Sequence, residues 1–311
     1  MQRKSGFVVL SIFMIAMIFL SFGCKKKIKI EDDLVFVEGG SFVMGNDDFS
    51  GGYNNKAHNA QVSSFFIAKT EVTQQEFEQV MGYNPSFYDG SSSGKTCVEG
   101  EEQAKTPVER LTWYECVMYC NKLSEQKGLT PVYTKEVDGE DVTDVSLWGE
   151  VPSKANKEWN AIKWNKEANG YRLLTEAEWE YAALGGKLAT GKNAAGFNFF
   201  DDNYEEYAWC GANSKLKTHE VALKKPNELG LYDMNGNVWE WLYDWFSESY
   251  YKKEAASEKD ACGPEMADYR CVRGGAWEDE DVTLSAFARG SSSPHLPSRR
   301  VGFRIARSNV K

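Results

Sequence analysis

The stretch RGGAWEDEDVTLSAFARGSSSPHLPSRRVGFRIAR, residues 273–307, has two ends that differ in character from its middle. It opens on a Gly-Gly-aromatic turn, and residues 302–304, Gly-Phe-Arg, are typical of a final strand. The middle holds acids, small polar residues and two prolines, without the alternation of apolar and polar residues that marks a half-buried strand. We therefore predict that residues 278–298 form one contiguous, solvent-exposed surface held by the flanking strands.

Length and composition narrow the class of protein. The chain has 311 residues, of which 42% are hydrophobic, and ten tryptophans, which suffices for a sizeable core. The formal net charge is −10, and no stripe of Lys and Arg is present. Because phosphate contacts need clustered basic side chains, this composition argues against a nucleic-acid partner.

The N-terminal segment indicates export. A basic start precedes an apolar run over residues 7–20, and a small residue precedes Cys24. This order is typical of a signal peptide, and the Cys resembles the lipidated one of bacterial lipoproteins. We predict a signal peptide over 1–23, a lipidated Cys24 with a tether over 24–33, and a location on the membrane at the cell surface. The alternative is an uncleaved anchor helix, although the run is short for a membrane span.

Local signals predict short strands and three helices. Residues 34–45 indicate two short strands around a Gly-Gly turn, and a core strand region is predicted around a sharp turn at 235–236, Asn-Gly. Residues 130–170 indicate a surface excursion with a hairpin. Helices are predicted where Ser/Thr-x-x-Glu allows the two side chains to cap the first turn reciprocally. This capping box occurs at Thr73, Thr112 and Thr175.

Six cysteines follow Cys24 in the sequence. Cys116 and Cys120 lie four residues apart on the apolar face of a predicted helix, so we interpret them as buried free thiols. An exported protein can form disulfides, and the sequence leaves open whether the other cysteines pair.

Six blocks in fixed order carry a resemblance to a known family. They are VFVEGGSFVMG, EVTQQEFEQVMG, TPVERLTWYECVMYCNKLSE, NGYRLLTEAEWEYAALGG, GLYDMNGNVWEWLYDW and RGGAW…GFRIAR. Together they resemble the formylglycine-generating enzyme, or sulfatase-modifying-factor, family, with Leu174 in place of that family's Pro. The resemblance implies a C-type-lectin-like α+β fold, as a single compact domain over 34–311 with much irregular structure.

The resemblance also bears on catalysis. In the catalytic members a cysteine pair after the Arg-Gly-Gly-aromatic motif binds copper. By position the pair would fall near Asp279 and Leu284, and neither is Cys; the three histidines are too scattered for the His ligands of iron-dependent relatives. We interpret the acids at 278–281 as a solvated charge run. The expectation is a non-enzyme that requires no cofactor, and the alternative is a sulfatase-modifying-type enzyme or related oxidoreductase on the same fold.

The chain further resembles the variable proteins of diversity-generating retroelements, a non-catalytic branch in which a reverse transcriptase rewrites adenines in a C-terminal coding segment. Rewriting the adenines of an AAC codon never yields Lys, Gln, Met, Trp or Glu, and none of these occurs from Asp281 to Arg300. Glu278 and Glu280 do not fit that codon. The resemblance implies a surface-displayed ligand-binding lipoprotein with a candidate variable region over 273–304. A structural envelope lipoprotein is the plainer alternative.

The composition of the variable stretch suits a binding face. Small hydroxyl residues and Gly, with a few rigid aromatic groups, are typical of antibody paratopes. We predict an unknown ligand, a protein rather than a small molecule, and we expect Trp277 to pack beneath the face. The predicted contact residues are Asp279, Glu280, Thr283, Phe287, Gly290, Ser291, Ser292, Ser293, His295, Leu296 and Ser298.

A structural calcium ion is a further implication of the family resemblance. The motif DMNGNVWE, residues 233–240, corresponds to a calcium-binding segment of the family. Oxygen ligands suit this ion. The implied ligands are the carboxylates of Asp233 and Glu240 and the carbonyl groups of Gly236 and Val238. The alternative is a tight turn in which Asp233 caps backbone amides.

Overall fold

Two four-stranded sheets and four short helices organise the chain, for which a computed structural model describes residues 33–49, 55–189 and 204–310. The predicted signal peptide, Cys24 and nearly all of the tether lie outside the described residues. No helix within those three ranges is long and apolar enough to cross a membrane. The strands are β1 (Leu34–Val37), β2 (Gly40–Met44), β3 (His58–Val62), β4 (Phe65–Ala68), β5 (Tyr133–Val137), β6 (Glu140–Val142), β7 (Lys163–Trp164), β8 (Tyr171–Leu173), β9 (Trp239–Trp245), β10 (Arg270–Arg273), β11 (Arg289–Ser292), β12 (Val301–Gly302) and β13 (Ile305–Ser308).

The three predicted capping boxes are confirmed. At each one the Thr hydroxyl accepts a hydrogen bond from the backbone N–H three residues on, and the Glu side chain there accepts from the Thr backbone N–H. Two of the backbone N–H groups that have no partner within the helix are thereby hydrogen-bonded at each helix start. This explains why the helices begin at these positions. The helices are α1 (Gln74–Met81), α2 (Trp113–Gln126), α3 (Lys157–Asn160) and α4 (Glu176–Ala183).

Strand order ties distant parts of the chain together. One sheet has the order β1-β4-β13-β8, so the C-terminal strand lies between two strands that are distant from it in the sequence. Ala306 pairs with Ile67 on one side and with Arg172 on the other. The second sheet has the order β11-β10-β9-β12, with β12 parallel to β9. The predicted strands β1 and β2 both form, but each pairs with a different partner strand.

The core confirms a single α+β domain. Both large apolar clusters draw residues from the first and the second half of the chain. Trp277 is buried, as expected. Phe303 is buried too and meets Tyr119 edge-on at 5.2 Å between ring centroids. It follows β12 and precedes β13 rather than lying within a strand, which corrects the prediction of a continuous final strand.

The segment 130–170 is only partly as predicted. The hairpin forms from β5 and β6. Most of the segment lies at the surface, as predicted, but Val132, Trp148 and Trp159 are buried in the same apolar cluster as α2 and anchor it there. Its polar composition concealed this, since a few large apolar groups suffice to anchor a polar loop to a core.

The thiols predicted to be buried and free are confirmed. Cys116 and Cys120 are fully buried, and all six cysteines of the described residues are unpaired. Burial raises the pKa of Cys116 well above its usual range, and it raises that of Cys120 as well. These two thiols are therefore packing groups rather than nucleophiles.

Glu109 gives the fold a testable pH dependence. Its carboxylate accepts a hydrogen bond from the Tyr88 backbone N–H at 2.8 Å, and Tyr88 packs edge-on against Trp277. Burial raises the pKa of Glu109 to about 8. A carboxyl whose folded pKa is raised stabilises the fold at low pH, and this contribution is lost as pH rises from about 4 through 8.

We therefore expect Glu109→Gln to gain stability relative to the wild type between pH 5 and pH 8, by at least about 1 kcal/mol. Thermal melts of both proteins at the two pH values test this. Glu99→Gln, an exposed change in the next loop, is the matched control. An equal difference between Glu109→Gln and wild type at both pH values contradicts the assignment.

Candidate functional site

An open pocket of about 420 Å³ lies over one face of the sheet β11-β10-β9-β12. Each strand contributes one residue to its floor: Gly290, Val272, Trp239 and Val301. Val272 pairs with Gly290, and Val301 pairs with Trp239. On β9 the partner of Val272 is Trp241, so Trp239 lies two residues along that strand from it. The three side chains of the floor, those of Val272, Trp239 and Val301, are apolar and buried. Both the size and the apolar lining are typical of ligand sites.

The rim of this pocket is polar. Hydroxyl groups come from Thr283, Ser291, Ser292 and Ser298, and Arg300 adds a guanidinium group. All five rim residues are partly exposed. Five predicted contact residues therefore line the pocket: Thr283, Gly290, Ser291, Ser292 and Ser298.

Asp279 is a structural residue, contrary to the prediction that it contacts ligand. Its Oδ2 accepts hydrogen bonds from Trp239 Nε1 at 2.6 Å and from the Ala276 backbone N–H at 2.9 Å, and Oδ1 pairs with Arg300. Burial raises the pKa of Asp279, and the Arg300 guanidinium opposes that rise. The carboxylate thus orients the indole that forms the pocket floor. The sequence carries no sign of this, because the partner lies 40 residues away.

The other predicted contact residues lie outside the pocket. Phe287 is half-buried: its ring lies 6.4 Å from that of Phe49 between centroids, and its carbonyl accepts from Asn55 Nδ2 at 2.7 Å. It is therefore not the central anchor of the pocket. The remaining four are at least partly exposed: Glu280, Ser293, His295 and Leu296.

The prediction that the whole of 278–298 is exposed is wrong in part. Residues 284–288 alternate between buried and half-buried, since their alternate side chains turn into the protein. Four of the five residues of Leu-Ser-Ala-Phe-Ala, residues 284–288, are apolar, and this is the signal for their burial in the sequence. Among the residues of 278–298 whose side chains the structure describes, the buried ones are Leu284, Ala286, Ala288, Arg289 and Pro294. None of these five is a predicted contact residue.

A buried ion network lies beneath the face. Arg289 of β11 donates to both carboxylate oxygens of Glu176 at 2.7 Å, and Arg273 of β10 pairs with Glu180. Burial acts to raise the pKa of Glu176, but the two guanidinium groups hold it at about 2. The four charges join α4 to β10, which precedes residues 278–298, and to β11, which lies within that stretch. Sequence reasoning missed Glu176 and Glu180, whose only signal is their place in the Thr-Glu-Ala-Glu-Trp-Glu block.

The implied calcium ligands do not fit together as a set. The Glu240 carboxylate accepts from Arg304 at 2.8–3.1 Å and from Trp179 Nε1 at 2.9 Å, so both oxygens already have cationic or N–H partners. Asp233 Oδ2 accepts from the Ala222 backbone N–H at 2.7 Å, as the alternative capping role predicts. Asp233 Oδ1 is buried without a partner among the described residues. Arg304 thus supplies the positive charge that a calcium ion was expected to provide at Glu240.

The positions that the resemblance assigns to a catalytic cysteine pair have structural contacts instead. Asp279 holds Trp239 and Arg300, and Leu284 is buried beside Cys210. Across the three described ranges, no group of three or more His, Cys, Asp or Glu side chains has an arrangement suited to a metal ion.

Comparison with known proteins agrees with this fold. Residues 23–309 match the family described as sulfatase-modifying factor enzyme 1-like domain. The chain is 35% identical over 302 residues to the chaperone protein LppX of Paenibacillus barcinonensis, covering 90% of each chain, and 29% identical over 294 residues to the formylglycine-generating enzyme of Streptomyces coelicolor, covering 88% of each.

Among solved structures, Treponema denticola variable protein 1 is similar, with 36% identity and a TM-score of 0.79 over 88% of this chain and 94% of that one. The relatives thus include enzymes, a chaperone and a variable protein within one fold. The chain belongs to the sulfatase-modifying factor enzyme 1-like family.

Proposed function

We propose that this protein is a non-catalytic ligand-binding lipoprotein of the cell surface, and that a retroelement diversifies its binding face. The observation that carries the proposal is the division within residues 278–298. Most predicted contact residues are partly exposed, whereas five residues that lie between them are buried and form the frame of the face: Leu284, Ala286, Ala288, Arg289 and Pro294. Such a stretch accepts new side chains at the surface without a loss of packing.

The pocket supports ligand binding by this face. Its rim consists of small hydroxyl residues that form adaptable hydrogen bonds and lose little rotamer entropy. Its floor is set by strands whose positions the buried ion network holds. A rigid scaffold beneath exchangeable loops is the arrangement that binding proteins use repeatedly.

Two further observations support the non-catalytic and anchored parts of the proposal. The positions expected for catalytic cysteines hold Asp279 and Leu284, which act in the frame. The apolar segment before Cys24 is typical of export and lipidation. The ligand we propose is a protein, because the site is an open, shallow face rather than a closed cavity.

The test is to sequence the coding regions for residues 113–126 and 270–311 in many cells descended from one clone that carries the active retroelement. We expect substitutions at adenines in the codons of exposed positions such as Ser291, Ser292 and Ser298. The codons of α2 are the internal control and should be invariant. Substitutions spread evenly over both regions, or none in either, would refute diversification.

A further inference from the structure

We propose that the pocket over Trp239 is an anchor site for one aromatic side chain of the protein ligand, and that residue 290 determines whether this site is open. The inference rests on the proposed binding role of the face. It adds Trp239, which is outside the predicted contact set, and gives Gly290 a specific role.

Gly290 lets the β11 backbone pack closely against two side chains of the floor. A Cβ atom at this position would lie 2.8 Å from Val272 Cγ2 and 2.9 Å from Trp239 Cζ3, closer than real contacts permit. Its φ angle is outside the left-handed region, so the backbone does not itself require glycine. The absence of a side chain therefore matters for the packing of Val272 and Trp239 rather than for the path of the chain. Any larger residue must displace Val272 or the indole and so change the pocket floor.

The indole is a fixed floor. Trp239 Nε1 donates to Asp279 Oδ2 at 2.6 Å, and its backbone N–H donates to the Arg300 carbonyl at 2.7 Å. Its ring is held before a ligand arrives, so binding requires little ordering of the protein. Asp279 is accordingly a positioning residue for this floor.

The chemistry of the pocket favours an aromatic group. The floor offers Val272, Val301 and an indole, and aromatic rings gain extra energy from contact with one another. The rim hydroxyls can bond the polar tip of a phenol ring. Both arginines that line the pocket among the described residues are paired, Arg289 with Glu176 and Arg300 with Glu278 and Asp279, which disfavours an acidic group. A tyrosine-like side chain uses both the floor and the rim.

The experiment uses p-cresol as the probe for a tyrosine side chain. The protein is labelled with 5-fluorotryptophan, and Trp239→Phe assigns the Trp239 resonance in fluorine NMR. We expect p-cresol to shift this resonance saturably. Cyclohexanol, a non-aromatic probe of similar size, should bind about threefold to tenfold more weakly, which corresponds to the aromatic contact energy.

The matched variants are Gly290→Val and Leu147→Ala. Gly290→Val should weaken p-cresol binding at least about tenfold, as loss of a central anchor does. Leu147→Ala removes an exposed side chain outside both the pocket and the predicted contact set and should leave binding unchanged. Gly290→Ser is measured alongside, so that a smaller side chain tests the same point if Val prevents folding.

The proposal is overturned if the Trp239 resonance shows no saturable shift in the wild type, or if folded Gly290→Val or Gly290→Ser binds p-cresol as the wild type does. This result is independent of the sequencing test. If the codons vary but p-cresol does not bind, the anchor site is refuted and the diversified face stands. If p-cresol binds but the codons are invariant, the anchor site stands and diversification is refuted.

Discussion

Arg289→Ala is expected to lower the free energy of unfolding by about 3–5 kcal/mol, the usual cost of removing one partner of a buried ion pair. Arg289 donates two hydrogen bonds of 2.7 Å to Glu176, which is itself buried and held ionised by Arg289 and Arg273. The variant leaves the Glu176 carboxylate with Arg273 alone, at 3.5 Å from its Nε. Chemical denaturation monitored by tryptophan fluorescence gives the free energy directly.

Arg299→Ala is the matched control, ten residues farther along the same stretch. Arg299 pairs with Glu278 at 3.2 Å, but its side chain is 48% exposed, so its loss should cost no more than about 1 kcal/mol. If Arg289→Ala costs as little as Arg299→Ala, the ion network does not hold the frame. In that case the division between frame and face loses its physical basis.

Arg304→Met should destabilise the protein by a similar amount, about 3–5 kcal/mol. The guanidinium of Arg304 is fully buried; it bonds both oxygens of Glu240 and the carbonyl groups of residues 68, 69 and 232. Burial and the neighbouring Asp233 carboxylate raise the pKa of Glu71, whereas the Arg304 guanidinium opposes that rise. Methionine keeps the length of the side chain but removes the guanidinium that pairs with Glu240.

Arg307→Met, three residues on, separates this effect from a general loss of arginine. Arg307 is partly exposed and donates to the Asn169 carbonyl at 3.0 Å, so we expect a change within about 1 kcal/mol. The comparison is made in buffer with a calcium chelator and again with added calcium. Equal stability of Arg304→Met and wild type in both buffers would show that Arg304 does not neutralise Glu240.

Local signals predicted the elements whose causes are local. A capping box involves residues three apart, and the turn at 235–236 needs left-handed angles that glycine adopts freely, with Gly236 at φ 79°. Both were visible in the sequence and both are present. The anchoring of segment 130–170 to the core was not predicted, because it depends on contacts between Trp159 and α2 that no local pattern shows.

The candidate site was predictable in outline but not in its floor. The lack of apolar and polar alternation in residues 278–298 located the binding face, and most of the contact residues predicted there are partly exposed. Trp239 and Val301 were missed because β9 and β12 meet β10 and β11 only in the folded sheet. Asp279 was misassigned for the same reason: its partners are distant in sequence. The hydrophobic periodicity of a sequence indicates which side of a strand or helix a residue faces. Its contact partners depend on the topology of the whole fold.

The most direct test of the division between frame and face is a saturation library over residues 278–298, sorted for resistance to protease on the cell surface of a display host. We predict that Leu284, Ala288 and Arg289 reject most substitutions, because these positions are buried. We expect Ser291 and Leu296 to accept most of them, since changes at exposed positions usually alter stability by less than about 0.5 kcal/mol. Equal tolerance at the two sets of positions would contradict the division between frame and face.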